Sequence, residues 1–152
     1  MPIMDKELLL CESFGIAATS GNSVLSTNVI YLPQVNNFKG TAVADMPNVS
    51  GNLHLNIVCE DESLVAASTT NVALALYNDD NATPATAGSA VVTCTISQGA
   101  TGGYTDGKQI CSIALPAGQL KQYYQLKVTP ATANLTAGKI TAWIGGPIQQ
   151  GV

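Results

Sequence analysis

The clearest pattern in the chain is a two-residue alternation that runs through Tyr123–Thr129 and resumes in Lys139–Ile144. Tyr124, Leu126 and Val128 fall on one face of the first segment, with Tyr123, Gln125, Lys127 and Thr129 on the other. In the second, Ile140, Ala142 and Ile144 alternate with Lys139, Thr141 and Trp143. A period of two with one polar face belongs to a half-buried strand, because successive Cβ atoms point to opposite sides of a sheet. Pro130 cannot donate to a ladder and Gly138 permits a turn, so the two segments are predicted to pair antiparallel in one sheet. Leu126, Val128, Ile140 and Ile144 each contribute roughly 1.5–3 kcal/mol if fully buried. A lone hairpin is marginal in water, so the preceding segments must supply the rest of the sheet.

Those segments are short and evenly spaced. Residues 1–13 end in an apolar knot, Leu8-Leu9-Leu10-Cys11, and read as an N-terminal arm or a first strand; residues 14–152 read as one domain. Phe14–Thr19 alternates weakly before the turn material of Thr19–Ser23. Asn28–Leu32 is a strand closed by Pro33, and Phe38–Ala44 is a weaker one followed by a turn at Asp45–Asn48. Leu53, Leu55, Ile57 and Cys59 alternate with His54, Asn56 and Val58. Leu64–Asn71 is a connection compatible with a helical turn. Val72, Leu74 and Leu76 then alternate with Ala73, Ala75 and Tyr77, and Asn78–Asn81 closes that strand as a turn. Ala90–Ile96 is rich in Val and Thr, as strands are. Gln98–Lys108 is a Gly-rich loop, long enough to be mobile, and Ile110–Leu115 is a strand stopped by Pro116 and Gly118. Eight or nine short strands with no helical period predict an all-β antiparallel sandwich of jelly-roll type.

Composition narrows the function classes. At 152 residues the chain is one domain by length. Only 11% of residues are charged, the net charge is −4 and aromatics are 5%. An acidic chain without a basic stripe or stacking aromatics is not built for nucleic acid. No apolar run approaches the ~20 residues of a membrane span. Leu8–Cys11 imitates a lipoprotein cleavage site, but Asp5, Lys6 and Glu7 stand where an apolar region belongs, so the expected site of synthesis is a cytoplasm. Cys11, Cys59, Cys94 and Cys111 contain no C-x-x-C pair, and three of them sit in alternating apolar runs. They read as buried, reduced thiols, with a Cys94–Cys111 bridge between neighbouring strands as the sharper alternative.

Candidate chemistry is sparse. Gly102–Gln109 imitates a phosphate-binding loop, but Gln109 replaces the Ser/Thr that would hold magnesium, and a strand follows in place of a helix. His54 is the one histidine, on the solvent face or rim of its strand, and there is no G-x-S-x-G elbow. Scattered Cys and one His give no zinc pattern. Glu60-Asp61-Glu62 and Asp79-Asp80 read as solvated loops, with calcium as the alternative, although neither has the spacing of a calcium loop. No catalytic, cofactor or metal site is expected.

Both ends of the chain carry a resemblance. Met4–Leu10 through Ser26-Thr27-Asn28-Val29-Ile30-Tyr31-Leu32 resembles the start of capsid cement proteins of tailed bacteriophages, where a "D-x-x-L-x-x-S" segment leads to "S-T-N-x-I-D-L". Tyr31 stands where that family has an acidic residue. Leu115–Gly118, Tyr124–Val128 and Leu135–Ala142 are similar to the family's "Y-L-x-L-x-Y … L-T-A-G-x-V-T-A" ending. The resemblance implies a jelly-roll decoration protein on the outer surface of a virion, bound to an HK97-type major capsid protein and made in the host bacterial cytoplasm. It implies a structural role without catalysis, and a homo-oligomer, dimer or trimer. Leu8, Leu9 and Leu10 are too apolar to leave in water, so they dock on a partner or on the protein's own sheet. Trp143 and Tyr123 fall on polar-alternating faces, where they either lie under the chain's own loops or form contacts, as Trp and Tyr do at hot spots. These five residues are the contact candidates, with the Gly99–Lys108 loop in reserve. A second function class, a β-sandwich module binding carbohydrate or a host surface, stays open beside the structural one.

Overall fold

Alternation becomes burial in the computed structural model, which describes residues 8–31, 34–36, 42–44, 53–101, 103–116 and 121–148. The strands are β1 (Leu9–Gly15), β2 (Val24–Leu25), β3 (Ile30–Tyr31), β4 (Gln34–Asn36), β5 (Ala42–Ala44), β6 (His54–Cys59), β7 (Val65–Ala66) and β8 (Thr70–Asp79). After the single helical turn α1 (Pro84–Ala87) come β9 (Ser89–Gln98), β10 (Gln109–Ala114), β11 (Tyr123–Pro130), β12 (Leu135–Ala137) and β13 (Lys139–Gly145). The expected turn at Asp45–Asn48, residues 1–7 of the arm, the closures at Pro33 and Gly118, and Gly102 lie outside the described residues.

Two antiparallel sheets form the sandwich. One runs β1-β13-β6-β10; the other runs β2-β11-β8-β9, with β3 also on β11. Counting β2 and β3 as one interrupted strand and setting aside the small pairs β4–β5 and β7–β12, the two orders are 1-8-3-6 and 2-7-4-5. That is the double Greek key of a jelly roll. Leu55, Ile57, Ile140 and Ile144 of the first sheet close on Leu74, Leu76, Tyr124, Leu126 and Val128 of the second, and all belong to one core.

One expectation is overturned. Tyr123–Thr129 and Lys139–Ile144 do not pair: β11 lies between β8 and the β2/β3 strand, whereas β13 lies between β1 and β6. They face each other from opposite sheets. Alternation reports which face of a strand is buried, and a strand beside it or across the core buries the same face equally well. The link Ala131–Gly138 has a crossing to make, and it contributes β12, which pairs with β7 at the sandwich rim. Gly138 makes the re-entry possible. Its φ is +133°, and a Cβ there would lie 3.0 Å from Leu64 Cα and 3.1 Å from Leu64 Cγ. Gly138→Ala is therefore expected to cost about 1–3 kcal/mol. Urea unfolding followed by circular dichroism tests this; an unchanged midpoint contradicts it.

Smaller departures have local causes. Leu64–Asn71 forms β7 and the start of β8, with no helical turn, because Val65 and Ala66 pair with β12. The expected turn at Asn78–Asn81 begins later, since Asn78 and Asp79 still pair with Tyr124 and Tyr123. The loop after β9 is tied down at both ends. The Gln98 amide donates to Leu64 O at 2.8 Å, Leu64 N–H donates to Tyr104 O at 2.9 Å, and Gly107 N–H donates to Cys59 O at 2.8 Å.

Candidate functional site

The outer faces of the sandwich carry most of the contact candidates. On the first sheet, β1 supplies Leu9, β13 supplies Trp143 and β6 supplies Asn56, in one cross-strand row. Ser112 of β10 completes that row beside Asn56. Trp143 is only 8% exposed, although it points away from the core. A Cβ on Gly145 would lie 3.2 Å from its ring, and the following tail crosses the same face. Asn56 Nδ2 donates to Gly146 O at 2.8 Å, Ser112 Oγ donates to Asn56 Oδ1 at 2.6 Å, and Ile148 N–H donates to Ser112 Oγ at 3.3 Å. This ladder of side chains holds residues 146–148 across the sheet. Trp143 is thus covered by its own chain, the first of the two readings its sequence position allowed.

The N-terminal knot divides. Leu10 is fully buried in the core and Leu8 packs against it, while Leu9 is half-buried beside Trp143. A bulge at Leu10 achieves this, since Leu9 and Cys11 oppose the consecutive residues Trp143 and Ala142. Of the two docking choices, Leu10 takes the protein's own sandwich. Leu9–Gly15 form the first strand.

The second sheet presents a different face. Tyr123 sits in register between Tyr31 and Asp79, and the Tyr31 and Tyr123 rings approach to 5.0 Å between centroids, tilted by 38°. Tyr31 is 54% exposed and Val29 38% exposed. One row along, Lys127 Nζ lies 5.1 Å from the centre of the Tyr77 ring. The outward positions of β8 and β11 include only two charged residues: Asp79, which faces Lys121 at 3.8 Å, and Lys127. The rest are Asn, Ala, Thr, Gln and Tyr. The two apolar faces therefore differ: Trp143 is covered, and the Val29–Tyr31–Tyr123 patch is open. Sequence reading missed Tyr31 and Val29. The signal was there, because burying Ile30 turns both its neighbours outward.

The other candidates resolve into structural hydrogen bonds. The acidic cluster is spread over three acceptors: Glu60 accepts from the Thr141 hydroxyl, Asp61 from the Ser13 hydroxyl, and Glu62 from Gly138 N–H at 3.3 Å. Among the described residues no three His, Cys, Asp or Glu side chains converge as metal ligands. Lys108 of the glycine loop donates to Gly103 O at 3.0 Å and lies over the Tyr104 ring. His54 Nδ1 is 3.5 Å from Ser112 Oγ, a neighbour that only the strand pairing reveals. The shorter bond of that hydroxyl donates its proton to Asn56, so His54 is not poised to take it.

The Bbp16 family profile matches residues 14–144, from the last two residues of β1 to the next-to-last residue of β13. The chain belongs to the Bbp16 family. The family name is one associated with bacteriophage. No curated protein matches the chain.

Proposed function

We propose that this protein is a capsid cement protein, binding the outside of an HK97-type phage capsid and stabilising contacts between major capsid subunits. The open Val29–Tyr31–Tyr123 patch carries this reading. It joins two adjoining, tilted tyrosine rings to a sheet face with few charges, which is the composition of a contact hot spot. Family membership over residues 14–144 supports a phage setting, and the motif resemblance at both chain ends supports the cement role. The rigid sandwich holds the patch in one geometry, so little conformational entropy is lost on docking. Self-association as a dimer or trimer multiplies such weak contacts across the shell. Sites of synthesis and action follow: the host cytoplasm, then the virion surface.

The test is co-sedimentation of purified protein with phage shells that lack it. Tyr31→Ala, at an exposed position where stability is expected to change little, and Tyr31→Ala with Tyr123→Ala are expected to weaken shell binding, the double variant by about tenfold to a hundredfold. Undiminished binding by the double variant moves the contact elsewhere, and absence of shell binding by the parent protein overturns the reading. An exposed tyrosine beside a second, tilted ring also suits the planar faces of sugar rings, so a glycan array with the same pair of proteins tests the carbohydrate alternative.

A further inference from the structure

Two cysteines from opposite sheets meet at one open side of the sandwich. Cys94 lies on β9, opposite Leu74, and Cys111 lies on β10, opposite Ile57. Leu74 and Ile57 are core residues of their sheets, so both thiols point inward from facing edges. β9 and β10 are the terminal strands of the two sheets on the same side, and they contact each other. We propose that Cys94 and Cys111 form a reversible disulfide that staples the two sheets together when the protein meets a low-molecular-weight disulfide.

The four thiols are free in the structure but chemically unequal. Burial pushes Cys11 up to about 12, and burial also raises Cys59, so neither supplies thiolate near neutrality. Cys94 is half-buried, and the hydrogen bond from Cys111 brings it down to about 7. Cys111, the donor in that bond and the more buried of the two, is pushed up. Attack therefore starts at the accessible sulfur. The Cys94 thiolate attacks one sulfur of the small disulfide and expels one thiolate, giving a mixed disulfide on Cys94. Cys111 then passes its proton to that thiolate or to solvent and attacks Cys94 Sγ, expelling the second. Two protein thiols are oxidised, one small disulfide is reduced to two thiols, and no other reactant is needed. The bond closes the loop from Cys94 to Cys111, which constrains the unfolded chain more than the folded one. This chemistry belongs to the fold and does not depend on the cement reading.

The experiment uses the full-length reduced protein and oxidised glutathione as the probe. On labelling after unfolding in guanidinium, two of the four thiols are expected to have become unreactive to iodoacetamide, with a loss of two hydrogens in intact mass. Peptide mapping is expected to join the Cys94 and Cys111 peptides, and the melting midpoint is expected to rise by roughly 5–10 °C, reversed by dithiothreitol. Cys111→Ser is expected to trap a glutathione adduct on Cys94, and Cys94→Ser to leave the remaining thiols unmodified. Retention of all four thiols, a bridge between other cysteines, or oxidation of Cys94→Ser like the parent overturns the proposal. A Cys94–Cys111 bond that forms without raising the midpoint overturns its role as a staple. The peptide map on the parent protein decides the pairing even if a variant fails to fold.

Discussion

Trp143→Ala is expected to lower stability by about 3–5 kcal/mol, the loss seen when a buried large aromatic is truncated. An exposed contact residue would move stability by no more than about 0.5 kcal/mol, so the measurement separates the two roles cleanly. The larger value follows from where the ring lies. Trp143 points away from the core, yet it is enclosed between Leu9 and Asn56 in its row and Gly145 behind it. Removing the indole leaves a cavity on the sheet's outer face and loosens the side-chain ladder that carries residues 146–148. Urea denaturation of the variant checks the magnitude. Because Trp143 is the one tryptophan, the native protein offers an independent check. Its fluorescence is expected to be blue-shifted and shielded from acrylamide, and emission like that of free indole in water contradicts the burial.

The same residue shows how far the sequence is legible. Alternation in Leu53–Cys59, Val72–Tyr77, Tyr123–Thr129 and Lys139–Ile144 identifies the faces that form the core, because a sheet turns each side chain one way or the other. It does not say which strand stands beside which. The Tyr123–Thr129 and Lys139–Ile144 segments go to opposite sheets because a jelly roll sends chain neighbours across the core, and pairing across the core leaves no local mark. Long-range placement also hides the lid on Trp143. Asn56, Ser112 and Gly146 are far apart in the chain and are united only by the β13–β6–β10 register. Tyr31 was readable in principle, since Ile30 inward forces Val29 and Tyr31 outward, but its neighbour Tyr123 comes from a distant strand that only the β3–β11 register brings alongside. The Cys94–Cys111 pairing had a trace in sequence, two thiols in successive strands; that they face each other from different sheets is a property of the topology.

Removing residues 1–12 is expected to abolish cooperative unfolding. The deletion strips Leu9, Leu10 and Cys11 from β1 and leaves β13 as a new edge, with its ladder groups on that side unpaired. Leu10 and Cys11 are fully buried, so the core opens at the same point. A single Leu→Ala change in a core costs about 2–5 kcal/mol, and an ordinary domain has only about 5–15 kcal/mol to lose. Loss of two buried side chains and part of a ladder therefore approaches the whole stability of the fold. Leu10→Ala alone provides the graded version: a loss of about 2–5 kcal/mol with a cooperative transition retained. Deleting only residues 1–7 keeps every residue of β1 and is expected to leave the cooperative melt in place. Any fall in shell binding by that shorter deletion then belongs to a contact made by the arm, separate from the structural work of Leu10. Calorimetry on the three proteins distinguishes the cases. A cooperative melt after loss of residues 1–12 would mean that β13 forms a stable edge without β1, and would return Leu8–Leu10 to the list of residues free to dock elsewhere.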